Sequence, residues 1–126
     1  MIVGLGTDII EISRVHKALE NTRFAERVFT EREREYCNSR GAQRDASYAV
    51  RFAGKEAVLK AFGTGLRGGS LLEIEILPDT LGCPQVALHG YHAQLAKDHG
   101  VGRICISLSH AREYAVAQCI FEGENR

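Results

Sequence analysis

The chain has 126 residues, 44% of them hydrophobic, which suffices for one domain with its own core. Lysine plus arginine and aspartate plus glutamate both number 16, so no net field favours nucleic acid or a membrane surface, and a charged partner must meet a local patch. No window reaches transmembrane length and Met1 to Gly6 lacks a basic region followed by a long apolar run, so neither export nor membrane insertion is expected.

Ile2 to Ile12 is β-branched and reads as a strand kinked at Gly4 and Gly6. Asp8 is the anomaly in it, either a turn or edge residue or a carboxylate held at the end of a buried strand to bind something. Ser13 is expected to cap a helix through Leu19. Arg14, Lys17, Arg23 and Arg27, with Phe24 among them, then form a local basic surface. Such runs are usually solvated faces, and docking of an acidic partner is the alternative. Thr30-Glu31-Arg32-Glu33 is a capping box opening a helix to about Tyr36, whose charges from Glu31 to Glu35 read as a solvated face. Asn38 to Gly41 closes it.

From about Ala46 to Phe62 the sequence reads as a central helix with two apolar arcs. One holds Ala46, Ala49, Val50, Ala53, Ala57 and Ala61; the other holds Tyr48, Phe52 and Leu59. Glu56 falls between the arcs and Lys60 at the edge of the first. They are either an ordinary i, i+4 ion pair or a partly buried carboxylate and ammonium that need a further partner. Gly63 can take positive φ and end the helix, and Gly63-Thr64-Gly65 leaves amides open to an anion. Gly68-Gly69-Ser70 extends this open loop around Arg67, so a phosphate contact near residues 63–70 is expected. The sequence has no GxxxxGK[ST] pattern, so this is not a P-loop.

Leu72 to Leu77 alternates as a half-buried strand, residues 78–84 form a turn-rich connection, and Gln85 to Leu88 returns as a strand. Tyr91 to His99 is an amphipathic helix with Leu95 and Ala96 inward, stopped by Gly100. Arg103 to Ser109 and Tyr114 to Phe121 are strands joined by residues 110–113, and a short polar tail follows. This order predicts an α+β domain, a largely antiparallel sheet packed on a long central helix. The four cysteines, Cys37, Cys83, Cys105 and Cys119, lack CxxC and metal-ligand spacing and read as reduced core thiols of a cytosolic protein. His110 sits at a strand end where it can project into a cleft. Its neighbours Ser107 and Ser109 lack a GxSxG elbow, which argues against a serine hydrolase.

Three stretches carry a resemblance: Gly4 to Ile12, Arg51-Phe52-Ala53-Gly54-Lys55-Glu56-Ala57 through Gly65, and Ser107-Leu108-Ser109-His110 before Glu113-Tyr114-Ala115. Together they are similar to the bacterial holo-acyl-carrier-protein synthases, of the 4′-phosphopantetheinyl transferases, in order along nearly the whole chain. The resemblance implies one transferase domain over residues 1–126, moving the phosphopantetheine arm of coenzyme A to a serine of apo acyl carrier protein in fatty acid biosynthesis. It implies that Asp8 and Glu56 hold magnesium, that Lys60 sits near the pyrophosphate, and that the nucleophile belongs to the partner. For the general base it leaves a metal-bound water, Glu56 or Asp8, with Glu56 as the working assignment. It further implies a cytoplasmic homotrimer with sites between protomers, in which Arg51, His110 and the Gly63-Thr64-Gly65 loop contact the nucleotide. Arg14, Arg23 and Arg27 would dock the acidic carrier protein. Gly54 departs from the resemblance, standing where alanine is common. A non-catalytic nucleotide-binding module and a transferase for carrier domains of polyketide or peptide synthases are the other readings.

Overall fold

The computed structural model describes residues 1–124; positions 125 and 126 of the polar tail lie outside the described residues. Its elements are β1 (Ile2–Glu11), α1 (Ile12–Ala18), α2 (Thr22–Val28), α3 (Glu31–Asn38), α4 (Arg44–Phe62), β2 (Ile74–Pro78), β3 (Pro84–Leu88), α5 (Gly90–Asp98), β4 (Val101–Ala111) and β5 (Tyr114–Gly123). The single sheet expected from the alternation is two antiparallel sheets: a three-stranded one in the order β1-β5-β4 and the separate hairpin β2-β3. Both hydrophobic clusters are built on α4, its C-terminal half packing on β5 and β2 and its N-terminal half on α1, α2 and α3.

β1 lies directly on α4. Side chains alternate along a strand, so Gly4, Gly6, Asp8 and Ile10 share one face. A Cβ at Gly4 would stand 2.5 Å from the Ala61 carbonyl oxygen, and one at Gly6 would run into the Ala57 carbonyl. Small residues on both elements therefore let the two backbones touch. Asp8 is a strand residue paired with Ala117, not a turn.

Several other expectations change. α1 begins at Ile12 with Glu11 at its cap, so Ser13 lies inside the first turn and caps nothing. Residues 22–28 form a helix of their own, capped by the Asn21 side chain. Leu72 and Glu73 belong to a 3-10 turn, and β2 starts at Ile74 with Ile74, Glu75 and Ile76 all buried rather than alternating. His110 and Ala111 are within β4, leaving Arg112-Glu113 as the turn, with Arg112 at φ 55°. Cys37 and Cys119 are buried, and burial pushes their thiols up to about 11 and about 12. Cys83, by contrast, is exposed and Cys105 is only half-buried, so neither is a core thiol.

The largest departure is Glu33, expected on a solvated face and found fully buried. It completes the capping box with Thr30, accepting the Thr30 amide at 2.8 Å. The same carboxylate accepts the Lys55 ammonium at 2.7 Å and the Ile76 amide at 2.8 Å, while Lys55 also donates to the Leu71 carbonyl at 2.9 Å. One ion pair thereby ties α3, α4, β2 and the 3-10 turn together. Burial pushes the Lys55 ammonium pKa down, and Glu33 opposes that. Replacing one member of such a pair strands the other charge, which costs about 3–5 kcal/mol. Lys55→Met is therefore expected to lower unfolding stability in urea by about that much, and a loss under about 1 kcal/mol contradicts this account.

Candidate active site

α4 carries both Glu56 and Lys60 through its last two turns, and the strand-on-helix contact places Asp8 above them. The Lys60 ammonium donates to Asp8 Oδ1 at 2.9 Å and to the Thr7 carbonyl at 3.0 Å. Lys60 thus pairs across elements rather than with Glu56 along its own helix. It is exposed, whereas the Asp8 side chain is 17% exposed.

Glu56 is half-buried and accepts no hydrogen bond among the described residues. Burial raises its carboxyl pKa, the negative charge of Asp8 raises it further, and Lys60 pulls it down. Asp8 and Glu56 thus sit near enough to repel, and Lys60, paired with Asp8, is the ammonium that opposes this, a deficit of positive charge that a hard cation would relieve. No third His, Cys, Asp or Glu converges on them among the described residues. The donor set therefore fits an ion that takes few protein ligands and keeps the rest of its shell for water or substrate oxygens, as magnesium does.

Immediately beyond Lys60, Gly63 ends α4 at φ 80° and Gly65 follows at φ 66°, both facing open space. Thr64 between them is half-buried, and its carbonyl accepts Arg67 Nε at 2.9 Å. The glycine loop therefore opens beside the charged cluster, at the helix end nearest it.

The structure does not bring every expected residue there. Arg51 is buried on another side of α4, donating to the Ile76 carbonyl at 3.0 Å and the Ser47 carbonyl at 3.2 Å, with its guanidinium 4.6 Å from the centre of the Tyr36 ring. His110 is exposed on β4, two strands away from β1. Arg14 on α1 and Arg23 and Arg27 on α2 are all exposed. Between these two helices lies a small apolar pocket lined by Ile10, Val15, Ala18, Phe24 and Phe52, with Arg14 at its edge. Ile10 follows Asp8 on the same strand face and Phe52 precedes Glu56 by one turn, so the pocket adjoins the charged cluster.

The sequence reading overlooked Lys55 and this pocket. A signal for Lys55 existed: it lies one turn before Leu59 and two turns after Tyr48, inside an apolar arc where a lysine must be buried with a partner. The pocket had no such signal, because Phe24 reaches Phe52 only through the packing of α2.

Residues 4–119 match the family model of the 4′-phosphopantetheinyl transferase superfamily. The holo-[acyl-carrier-protein] synthase of Ruminiclostridium cellulolyticum is 52% identical over 119 residues, covering 92% of this chain and 89% of that one. The crystal structure of the Neisseria meningitidis holo-[acyl-carrier-protein] synthase superposes with a TM-score of 0.88 at 33% identity, covering 97% of this chain and 99% of that one. That of a Bacillus anthracis synthase in complex with CoA (3′,5′-ADP) gives 0.82 at 38% identity, covering 98% and 99%.

If Lys60 holds the Glu56 carboxyl down, Lys60→Met raises its titration midpoint and Asp8→Asn lowers it. Carbon-13 NMR of the Glu56 carboxyl without added metal reads both, and equal midpoints in the two variants contradict the arrangement.

Proposed function

The chain belongs to the 4′-phosphopantetheinyl transferase superfamily, and we propose that it is a holo-acyl-carrier-protein synthase. In this reading residues 1–126 are one transferase domain, working in the cytoplasm in support of fatty acid biosynthesis. It moves the phosphopantetheine arm of coenzyme A to a serine of apo acyl carrier protein. The observation that carries the reading is the Asp8, Glu56 and Lys60 cluster beside an open glycine loop, in a fold shared with a synthase that binds coenzyme A.

The serine oxygen of the carrier attacks the phosphorus that bears the pantetheine. The bond from that phosphorus to the oxygen bridging the two phosphates breaks, and adenosine 3′,5′-bisphosphate leaves with the electron pair. Glu56, half-buried beside Asp8 and Lys60, is the group assigned to take the serine proton. Lys60, 54% exposed, turns its ammonium to the pyrophosphate and offsets the charge that grows there. Asp8 and Glu56 are the residues that would hold magnesium. Bound there, the ion neutralises negative charge on the pyrophosphate. The amides of Gly63, Thr64 and Gly65 receive phosphate oxygens.

The carrier protein docks on Arg14, Arg23 and Arg27, whose positive charge steers an acidic partner. An apolar side chain of that partner fits the pocket between Phe24 and Phe52, which sets its serine beside Glu56. His110, exposed and away from the cluster in a single chain, serves the nucleotide at the site of a neighbouring protomer, whereas Arg51, buried on the Ile76 and Ser47 carbonyls, holds α4 to β2 instead. The outer face of the three-stranded sheet supports a homotrimer. Leu5 and Ile9 on it are 58% and 61% exposed, an apolar surface that further copies of the chain would cover. Light scattering is expected to give three times 13.9 kDa, and a monomer mass removes the shared site.

Incubating apo acyl carrier protein with the enzyme, coenzyme A and magnesium should add one phosphopantetheine arm to the carrier's mass. Glu56→Gln or a chelator should lower the rate at least about 100-fold, as loss of a general base does. Arg14→Glu should raise the KM for carrier while leaving that for coenzyme A unchanged, most clearly at low salt. Absence of any mass gain with several carrier proteins overturns the assignment.

A further inference from the structure

Glu73 ends the 3-10 turn that follows the glycine loop, and its side chain leaves that turn for the start of α5. It accepts the Tyr91 and His92 backbone amides, both at 3.3 Å, and meets His92 Nδ1 at 2.8 Å. Desolvation would raise the Glu73 carboxyl, but the His92 ring and the two amides outweigh it and hold the pKa low.

The glycines around this carboxylate leave it the room it occupies. A Cβ at Gly69 or at Gly90 would run into the Glu73 carboxylate oxygens, and both residues stand at positive φ, 65° and 54°. A Cβ at Gly68 would stand 2.8 Å from the Tyr91 ring. A plain chain reversal needs one glycine, yet three positions are left bare so that Glu73 and Tyr91 can pass. His92 is fully buried, and its Nε2 has no hydrogen-bond partner among the described residues. An orphaned ring nitrogen is costly, and the bond of Nδ1 to Glu73 is what the ring gains in exchange.

The loop from Gly63 to Ser70 is therefore an arch with two fixed feet. One foot is the end of α4, where the Gly63 amide donates to the Leu59 and Lys60 carbonyls. The other is the junction of Glu73 with α5, reinforced by the Ser70 hydroxyl, which accepts the Leu72 amide at 3.2 Å. Between the feet the only side-chain bonds among the described residues are local, from Thr64 to Gly65 and from Arg67 to Thr64. The height and direction of the arch thus depend on where its second foot stands.

We propose that Glu73, clamped by the start of α5 and by His92, is a positioning residue that fixes the Gly63–Ser70 arch for the phosphates of coenzyme A. The inference rests on the reading of that loop as a phosphate contact in a coenzyme A-dependent transferase. Glu73 touches no reacting atom. It acts by holding the Gly63, Thr64 and Gly65 amides where a phosphate oxygen meets them, and a displaced arch weakens coenzyme binding while leaving Glu56 and the α1-α2 surface alone.

Steady-state kinetics of the full chain with coenzyme A and apo carrier protein test this. Glu73→Ala is expected to raise the KM for coenzyme A roughly ten-fold, with kcat and the KM for carrier within about two-fold of the parent. Glu73→Gln, which keeps the shape and one acceptor oxygen, should recover part of the loss. His92→Gln, which keeps α5 and removes only the ring, should move the same parameter in the same direction, and thermal unfolding of each variant identifies a folding loss. An unchanged KM for coenzyme A in folded Glu73→Ala, or equal damage to both KM values and to kcat, overturns the proposal. Absence of transfer by the parent enzyme would instead overturn the transferase reading beneath it.

Discussion

A bare backbone contact organises this protein. β1 rests on α4 because Gly4 and Gly6 present no side chain where the Ala57 and Ala61 carbonyls stand. A side chain at either glycine would lift the strand. The arrangement of charges follows from that proximity: Asp8, next on the same face of β1, meets the Lys60 ammonium and comes near enough to Glu56 to raise its carboxyl pKa. Aspartate is a poor strand residue, and its presence within β1 is understandable only from what it meets there.

The second constraint holds α4 itself. Lys55 and Glu56 are neighbours on the helix but face different surroundings, one fully buried and one half-buried. Lys55 spends its charge on Glu33, and Glu33 in turn satisfies the Thr30 and Ile76 amides. A buried pair of this kind is weak evidence of net stability, and what it does here is join α3, α4, β2 and the 3-10 turn through one carboxylate and one ammonium. Since Glu56 follows directly on Lys55, the anchoring of Lys55 also governs where Glu56 stands relative to β1.

Much of this was legible in the sequence where one residue type answers a local demand. The capping box at Thr30 and Glu33 and the left-handed Gly63 at the end of α4 appear as read, the β2-β3 hairpin forms with its first strand shifted to Ile74–Pro78, and Asp8 and Glu56 stand out in the sequence as misplaced charges. What could not be read depends on tertiary contact. Glu33 looked like one more charge in a solvated run, because its partners Lys55 and Ile76 lie 22 and 43 residues away in the chain. Lys60 reached across to Asp8 instead of back to Glu56. Leu72 and Glu73 alternated like strand residues but were drawn into a turn.

The central claim is that the β1-α4 contact builds a pair of carboxylates able to hold a divalent cation against substrate phosphates. Manganese in place of magnesium tests it through paramagnetic broadening of carboxyl carbon-13 signals during titration of the full chain. The account predicts that Asp8 and Glu56 broaden first and together, at the lowest manganese concentrations, and that Gly6→Val, which lifts β1, abolishes their joint response in the folded protein. First broadening at other carboxylates, with Asp8 and Glu56 left sharp, would contradict it.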